Sequence, residues 1–464
     1  MNHKSLLNTI YQNETNLAEQ VQVFIDQGAD LNSVTEYAES ALRVASNNGR
    51  FDVVAMLLAA GADKEQLGWT DTVFEVAYGD VLGIRQSLQD RQNLEIGDFW
   101  ERTPFLFAIQ CGDIQKAALL LELGASRHAV GRCGKPATAY AIQNNHVAML
   151  DWLLDQGFDI ELGDNFGCTP IITAAELGRL DCLRLLIARG ADIHKENHIP
   201  ERAIQVASTL DIVRVLVECG DDINDISEEM HAALLGVAVS GTPTATKEEY
   251  LKGRLRHFGK KNPERSEVEF WLDMVRTGAS AWRARETYSD KSGTKDKPIW
   301  TYQRYGRSTS VLPNGRVIEI GGEHEDWYDP DFCIYNDVTV FEVNGTINIY
   351  SYPESAFPPT DFHTATLVDN FIYIVGGLGY HEARTTGHTP VYRLDIHTFE
   401  IKEIRTSGDN PGWISRHRTS LDRNSHLVVR AGKQIIHKNG HEDYVENDHT
   451  YHLCLHTYKW KCQK

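Results

Sequence analysis

A repeat of about 33 residues runs through the first half of this sequence and limits what that half can fold into. Short segments related to Gly-Ala-Asp recur at intervals of 33, 63, 33, 33 and 30 residues. They begin at Gly28, Gly61, Gly124, Gly157, Gly190 and Gly220. The interval of 63 holds two units, and the first of them, residues 68–94, is degenerate. A fixed period of this length is typical of small supersecondary units that stack on one another.

Each unit is predicted to be a pair of short helices. Apolar residues three and four positions apart precede the glycines, as in residues 53–58, which is the pattern of an amphipathic helix. The pairs Thr103-Pro104 and Thr169-Pro170 favour helix starts, because a Thr hydroxyl can cap free amides and Pro at the first position loses no needed donor. One such pair cannot bury its apolar face alone, so we expect neighbouring pairs to stack.

These features resemble ankyrin repeats, about seven of them over residues 1–226. The best copy runs from Asp164-Asn165-Phe166-Gly167-Cys168-Thr169-Pro170 to Asp192. Two departures, the missing Gly-Ala ending near Leu94 and the shortened hairpin at 198–201, leave the local geometry of those units open.

The resemblance implies a binding protein without catalytic activity, such as a scaffold, an adaptor, or an inhibitor or immunity-type binder. Ankyrin arrays bind proteins through their hairpin tips and the concave face of their first helices. The predicted partner-binding tip residues are Trp69, Phe99, Trp100, Asn165 and Phe166. Exposed aromatic side chains are favoured interface anchors, although a Trp in a hairpin can instead pack on the next repeat.

The acidic charge of the chain is concentrated in its first half. The formal net charge is −19. Residues 1–230 hold 35 Asp and Glu against 17 Lys and Arg, residues 231–300 hold 9 against 13, and residues 301–464 hold 21 against 16. This acidic surface argues against nucleic acid as a partner, because binding to phosphates depends on basic side chains. It favours a basic protein partner, and the alternative is that the charge only keeps the protein in solution.

A helical connector is predicted over residues 227–298. Residues 248–258 and 267–274 have helical periodicity, and the apolar face around Phe270, Trp271 and Met274 needs a surface to pack against. We expect that surface to be the last ankyrin unit.

From residue 299 onward the pattern changes to alternating β-branched and aromatic residues separated by turns, which predicts strands. Three units repeat, and their apolar strands end at Gly321-Gly322, Gly376-Gly377 and Gly432, with spacings of 55 and 56 residues. Each unit is predicted to contain four antiparallel strands.

This pattern resembles the kelch motif, the blade of a galactose-oxidase-superfamily-type β-propeller. The resemblance rests on the diglycines, on Asn336-Asp337-Val338, and on the turn at 394–399 that recurs at 453–458. The expected fold class is therefore multidomain α + β: an ankyrin solenoid, a helical connector and a partial propeller of about three four-stranded blades over residues 299–464. Three blades leave open sheet edges, so either a homodimer completes the ring through these edges or other parts of the chain cover them.

Possible ligands for a metal ion cluster in the loops of the predicted blades. They are His324, Glu325, Asp326, His381, His441, Glu442 and Asp443. Imidazoles and carboxylates that converge from different blades can hold a divalent metal or act as acid and base, so a metal-dependent enzyme is the alternative function. The simpler interpretation is that these side chains fix their own loops by local hydrogen bonds, and no cofactor is then expected.

The sequence predicts a cytoplasmic protein. Its eight cysteines include no Cys-x-x-Cys pair, which suits reduced thiols. The start of the sequence lacks a basic region followed by an apolar block, and its apolar runs are shorter than a bilayer crossing requires, so neither secretion nor membrane insertion is expected.

Overall fold

The structure is a computed structural model that describes residues 5–12, 16–88, 94–291, 298–326, 329–438 and 441–463, without the side chains of residues 325–331. The chain divides into two compact units, Met1–Met230 and His231–Lys464. Among the described residues, no helix combines the length and apolar character that a bilayer crossing needs.

The first unit is helical, and most of its helices come in consecutive pairs. The helices are α1 (Leu6–Gln12), α2 (Leu17–Asp26), α3 (Ala41–Asn47), α4 (Phe51–Ala59), α5 (Asp71–Tyr78), α6 (Val81–Ser87), α7 (Pro104–Cys111), α8 (Ile114–Glu122), α9 (Ala137–Gln143), α10 (Val147–Asp155), α11 (Pro170–Glu176), α12 (Leu180–Ala188) and α13 (Leu210–Glu218). In the seventh repeat, turns take the place of the first helix, and α13 is the second helix.

The helix starts follow the sequence prediction at one Thr-Pro pair and differ at the other. The Thr103 hydroxyl accepts a hydrogen bond from the Leu106 amide, with Pro104 in the first helical position. Thr169 precedes Pro170 in the same way, but its hydroxyl caps no amide and is buried. Proline therefore sets the start of α11 through its fixed φ rather than through a side-chain cap.

Two apolar cores lie in the first unit. Helices α1 to α4 enclose one core, which includes Ile10, Val21, Leu42 and Val54. Helices α5 to α13 enclose a second, larger core. The break between them falls at the degenerate third unit.

The second unit begins with helices that precede and flank its strands. The helices are α14 (Glu228–Leu235, which spans the division between the units), α15 (Lys247–Gly253), α16 (Glu269–Thr277) and α17 (Ala281–Tyr288). Trp271 of α16 stacks on Trp300, with ring centroids 4.9 Å apart. The apolar face of the connector packs on Val317, Phe341 and Ile349 of a sheet, whereas the sequence assigned this face to packing on the last ankyrin unit. An apolar helix face packs on any large apolar surface within reach, which the sequence pattern alone does not identify.

The rest of the second unit is built of strands. The strands are β1 (Glu264–Ser266), β2 (Ser308–Val311), β3 (Val317–Ile320), β4 (Glu323–Asp326), β5 (Asp329–Ile334), β6 (Val338–Phe341), β7 (Ile347–Ser351), β8 (Thr364–Val368), β9 (Phe371–Val375), β10 (Val391–Asp395), β11 (Ile401–Glu403), β12 (Ser407–Gly408), β13 (Trp413–Ser415), β14 (Arg418–Leu421), β15 (His426–Arg430), β16 (Lys433–Lys438), β17 (His441–Glu446), β18 (Thr450–Cys454) and β19 (Lys459–Gln463).

Three sheets each contain a meander of four antiparallel strands. The first sheet has the order β1-β7-β6-β3-β2, the second β11-β10-β9-β8, and the third β12-β19-β18-β15-β14. Two smaller sheets, β13-β16-β17 and β4-β5, extend from them. The β-rich region predicted from the sequence is confirmed, but the described strands do not complete a ring of sheets.

Apolar layers separate the three sheets. One layer contains Ile318 and Val340 of the first sheet together with Ile372 and Leu394 of the second, and another joins the second sheet to the third. The glycine pairs allow neighbouring parts of the β-rich region to approach closely. A Cβ on Gly321 would lie 2.4 Å from the Thr360 carbonyl oxygen. Gly321 and Gly376 both have a left-handed backbone.

Candidate protein-interaction surface

Backbone hydrogen bonds join the hairpins of successive repeats in the first unit. The amide of Arg132 donates to the carbonyl of Trp100, that of Asn165 to Cys133, and that of His198 to Phe166, each at 2.9 Å. These bonds fix the spacing and orientation of the hairpins, so that equivalent residues form a line.

Three of the hairpins are also held by a hydrogen bond between a side chain and the backbone of the same turn. The amides of Trp100, Phe166 and Ile199 donate, over 2.9 to 3.0 Å, to a side-chain oxygen two residues earlier. The acceptors are Asp98, Asp164 and Asn197. Asp and Asn make this turn readily because their short side chains reach their own backbone. The turn leaves the donating residue at the tip of the hairpin.

The tip position is apolar in five of the hairpins, and we call these residues the tip row. The tip row is Tyr37, Trp100, Cys133, Phe166 and Ile199. Tyr37 is 76% exposed, Phe166 is 55% exposed and Ile199 is 67% exposed, and Cys133 is also exposed. Several exposed apolar side chains at one repeated position mark an interaction surface better than a single one would.

Phe99 and Trp100 are half-buried because other parts of the first unit contact them. The Arg43 guanidinium lies 4.0 Å from the centre of the Phe99 ring. The Trp100 indole N–H donates to the Arg43 carbonyl over 3.2 Å. Asn165 is exposed beside Phe166. Of the predicted tip residues, Asn165 and Phe166 are therefore the most accessible.

The structure places Trp69 differently from the prediction. Its ring lies 5.0 to 6.1 Å from those of Phe51, Phe74, Tyr78 and Phe107, and it packs against both cores of the first unit. Trp69 follows the 3-10 helix Lys64–Leu67 and its glycine cap, so it lies in the segment that leads from the hairpin to α5. Its role is packing between repeats, which the sequence analysis had kept as the alternative.

Acidic side chains flank the tip row. Glu36 is exposed beside Tyr37, and Glu101 is exposed beside Trp100. Basic side chains lie near the same row: Arg132 is exposed beside Cys133, and burial lowers the pKa of Lys135 to about 8.

The predicted metal ligands of the second unit are only partly brought together. His381 Nε2 lies 3.6 Å from Glu442 Oε1, and the other Glu442 oxygen binds Arg384 at 2.6 Å. His324 is buried in β4 opposite Cys333. His441 is exposed at the start of β17.

The remaining predicted ligands add no further convergence. The Asp443 carboxylate accepts the amide of Tyr444 at 3.0 Å. The side chains of Glu325 and Asp326 lie outside the described residues. In the part of the chain that is described, no three His, Cys, Asp or Glu side chains are grouped in a way that could hold a metal ion.

A buried charged cluster of the second unit was missed by the sequence analysis. Glu319 of β3 accepts hydrogen bonds from Tyr302 at 2.6 Å and Thr309 at 3.1 Å, and it lies 2.5 Å from His231. Burial alone would raise the pKa of Glu319, but Arg307 and His231 outweigh it and lower that pKa to about 2. The sequence feature that indicates this cluster is a single Glu, Glu319, among the apolar residues of the buried strand β3.

Comparison with known proteins supports the interpretation of the first unit. A family model of ankyrin repeats (3 copies) matches residues 105–197 and 139–227. The chain is 27% identical over 213 residues to "Ankyrin repeat and KH domain-containing protein mask-1" of Caenorhabditis elegans, which is 44% of this chain and 7% of that protein. It is 34% identical over 101 residues to "Ankyrin repeat domain-containing protein 37" of Xenopus tropicalis, which is 21% of this chain and 62% of that protein.

The first unit therefore contains ankyrin repeats, as the sequence predicts. The similarity covers only part of each chain, and the first relatives are matched over 7% of their own length. The activities and partners of those proteins are therefore not assigned to this chain.

Proposed function

We propose that this protein binds a protein partner through the exposed tip-row residues Cys133, Phe166 and Ile199, which lie in three successive hairpins. The observation that carries the proposal is the exposure of apolar side chains at one equivalent position of hydrogen-bonded hairpins. Partly exposed, rigidly held apolar residues lose little conformational entropy on binding, which favours them as anchors.

The proposed partner presents a basic surface. The excess of carboxylates in residues 1–230, with Glu36 and Glu101 beside the tips, attracts such a surface and raises the rate of encounter. This attraction decreases with ionic strength, because charges in water are screened over about 10 Å at 0.1 M salt. An apolar anchor, in contrast, is nearly insensitive to salt.

The test is capture of a partner from native lysate with the full chain as bait, at about 0.1 and 0.5 M salt. The variant Phe166→Ala/Ile199→Ala should lose the captured protein. A matched control, Val23→Ala/Leu82→Ala, removes exposed apolar side chains of helices α2 and α6 and should keep it. Equal capture by both variants would refute the tip row as the binding surface.

We further propose that the β-rich region is a kelch-like partial propeller whose apolar sheet faces are covered within the chain. Its support is the three successive four-stranded meanders, the apolar layers between them and the closely approached glycines. The connector helices cover the outer face of the first sheet. In this proposal the region stabilises the chain or binds a second partner, and needs no second copy.

A further inference from the structure

A contact in the first unit departs from the rule that repeats of a solenoid touch only their neighbours. The last two residues of α3 and the two residues after it, 46–49, which we call the turn, contact residues of the fourth and fifth repeats. The Asn47 carbonyl and Gln143 are 96 residues apart in sequence, yet they form a hydrogen bond of 2.6 Å. The second helix pair therefore contacts repeats that are not its neighbours in sequence.

The contact consists of side-chain donors on one side and mainly carbonyl oxygens on the other. Arg102 donates to the Ser46 carbonyl at 2.7 Å. The amide groups of Gln110 and Gln143 both donate to the Asn47 carbonyl, at 2.9 and 2.6 Å. Asn144 donates to the Gly49 carbonyl at 3.3 Å. We call the four donating residues, Arg102, Gln110, Gln143 and Asn144, the donor surface.

The bonds from the donor surface to the turn depend mainly on the main chain. Except for the hydroxyl of Ser46, which also binds Arg102, these bonds end on carbonyl oxygens that every residue carries, and Arg102 is itself held by the side chains of Asp98 and Gln110. Any polypeptide turn with several unpaired carbonyls offers the same chemistry. Carbonyls at the end of a helix that lack an intrahelical partner are a frequent source of such groups, and residues 46–49 comprise the last two residues of α3 and the two residues after it.

The turn at residues 46–49 belongs to a part of the first unit that has its own apolar core. Helices α1 to α4 enclose an apolar core separate from that of α5 to α13. On its apolar edge, Phe51 contacts Phe107 with ring centroids 5.6 Å apart. Arg102 and Gln110 are fully buried under the turn, and water can replace their bonds when the turn leaves, since both groups are strongly polar.

We propose that the donor surface is a polypeptide-binding surface and that the turn at residues 46–49 is its resident occupant. A partner segment that presents unpaired carbonyls binds there when α1 to α4 move away together, so that binding and opening are coupled. The proposal extends the proposed function to a second surface of the same unit, and it does not require the tip row to bind anything.

The contact can be weakened at a glycine. A Cβ on Gly49, whose φ is +68°, would lie 2.1 Å from the Asn144 amide nitrogen. Gly28 has a φ of +71° and no atom within 4 Å of its Cβ position. Gly49→Ala and Gly28→Ala therefore impose the same backbone strain, but only the first disturbs the contact. Asn144→Ala removes one donor without backbone strain.

Hydrogen exchange of the full-length chain tests the opening. Exchange in the hairpin at 98–102 and the turn at 144–147 should become about tenfold faster in Gly49→Ala, and faster in Asn144→Ala, than in Gly28→Ala. Equal exchange at these positions in all three variants would overturn the proposal. Retention of a cooperative thermal transition in Asn144→Ala shows that any change is local.

A synthetic peptide with the sequence of residues 41–50 tests the binding. It should bind saturably to the Gly49→Ala chain and at least about tenfold more weakly to the wild-type chain, whose surface is occupied. No binding to the Gly49→Ala chain would overturn the assignment of the surface. The variant Phe166→Ala/Ile199→Ala should leave both measurements unchanged, so failure of the tip row as a binding surface is distinguishable from failure of this proposal.

Discussion

His363 Nε2 lies 2.8 Å from the Ser308 hydroxyl, and this bond links the residue before β8 of the second sheet to β2 of the first. The same link recurs one sheet further on, where His417 Nε2 lies 3.0 Å from the Thr364 hydroxyl. Both histidines are buried, and among the described residues the Nδ1 atom of His363 has no hydrogen-bond partner. Burial lowers the pKa of His363 to about 3 and that of His417 to about 4.

The stability of the protein should therefore decrease as the pH falls below about 6.5. A histidine whose pKa is lower in the folded state stabilises the fold fully above its unfolded pKa of about 6.5, and that contribution is lost on acidification. Linkage gives a loss of about 2 kcal/mol for each of the two histidines between pH 7.5 and pH 5. Urea unfolding at these two pH values measures it.

The matched variant is His363→Gln/His417→Gln, which keeps a hydrogen-bond donor but cannot be protonated in this range. Its unfolding free energy should depend much less on pH than that of the wild type. The pKa values of His146 and His257 are also lowered by burial, so some dependence remains. An identical pH dependence in the variant would contradict the assignment to these two side chains.

Gly376 should tolerate no side chain. A Cβ at this position would lie 2.4 Å from the Ile414 carbonyl oxygen, and its φ is +67°. Gly376→Ala is expected to lower the free energy of unfolding by more than about 2 kcal/mol, because a backbone atom must move in addition to the left-handed strain. Gly345→Ala is the control, since Gly345 has a φ of +82° and open space around it, and should cost only about 1 kcal/mol. Equal losses in denaturant unfolding would show that the close approach carries no cost.

Trp271 should be a major stabilising residue of the second unit. It is buried, stacks on Trp300 and donates its indole N–H to the Gly253 carbonyl at 2.7 Å. Trp271→Ala is expected to lower the free energy of unfolding by about 3 to 5 kcal/mol. Trp282→Ala, in which a tryptophan that is 51% exposed is removed from the adjacent helix, should change it by less than about 1 kcal/mol. Thermal unfolding of both variants compares the two positions, and similar shifts would contradict the packing described here.

The sequence predicted those features that depend on local pattern. The ankyrin period and the alternating strands are visible because each unit repeats its own apolar positions, as at Val317, Ile372 and Leu427. Trp69 lies one residue before the cap residue of its helix, Thr70, whereas Trp100 lies three residues before Thr103. This difference of two residues is enough to turn a side chain from the surface to the interior. His363 and His417 occupy equivalent positions in the aligned units, but their burial depends on the packing of neighbouring sheets.

Long-range features had no sequence signal. The bond from Gln143 to the Asn47 carbonyl joins distant repeats, and it depends on a main-chain atom that every residue possesses. The five bonds from the donor surface join the second helix pair to the fourth and fifth repeats, past the degenerate third unit. The sequence shows that this third unit is irregular, but not which repeats come into contact around it.

The oligomeric state distinguishes the two predicted ways of covering the open sheets, which are a second copy of the chain and other parts of the same chain. The outer face of the third sheet carries exposed Arg418, Arg430, Lys459 and Lys461, whereas its inner face carries Leu427, Val429 and Trp460. Sheets pack face to face through apolar side chains, and like charges on a flat face repel a second copy. We therefore expect light scattering at micromolar concentration to give the monomer mass of 52.3 kDa, both at about 0.1 M and at about 0.5 M salt. A dimer that persists in Lys459→Glu/Lys461→Glu would show that the copies meet elsewhere, and a dimer abolished by that change would show that this charged face is the site of ring completion.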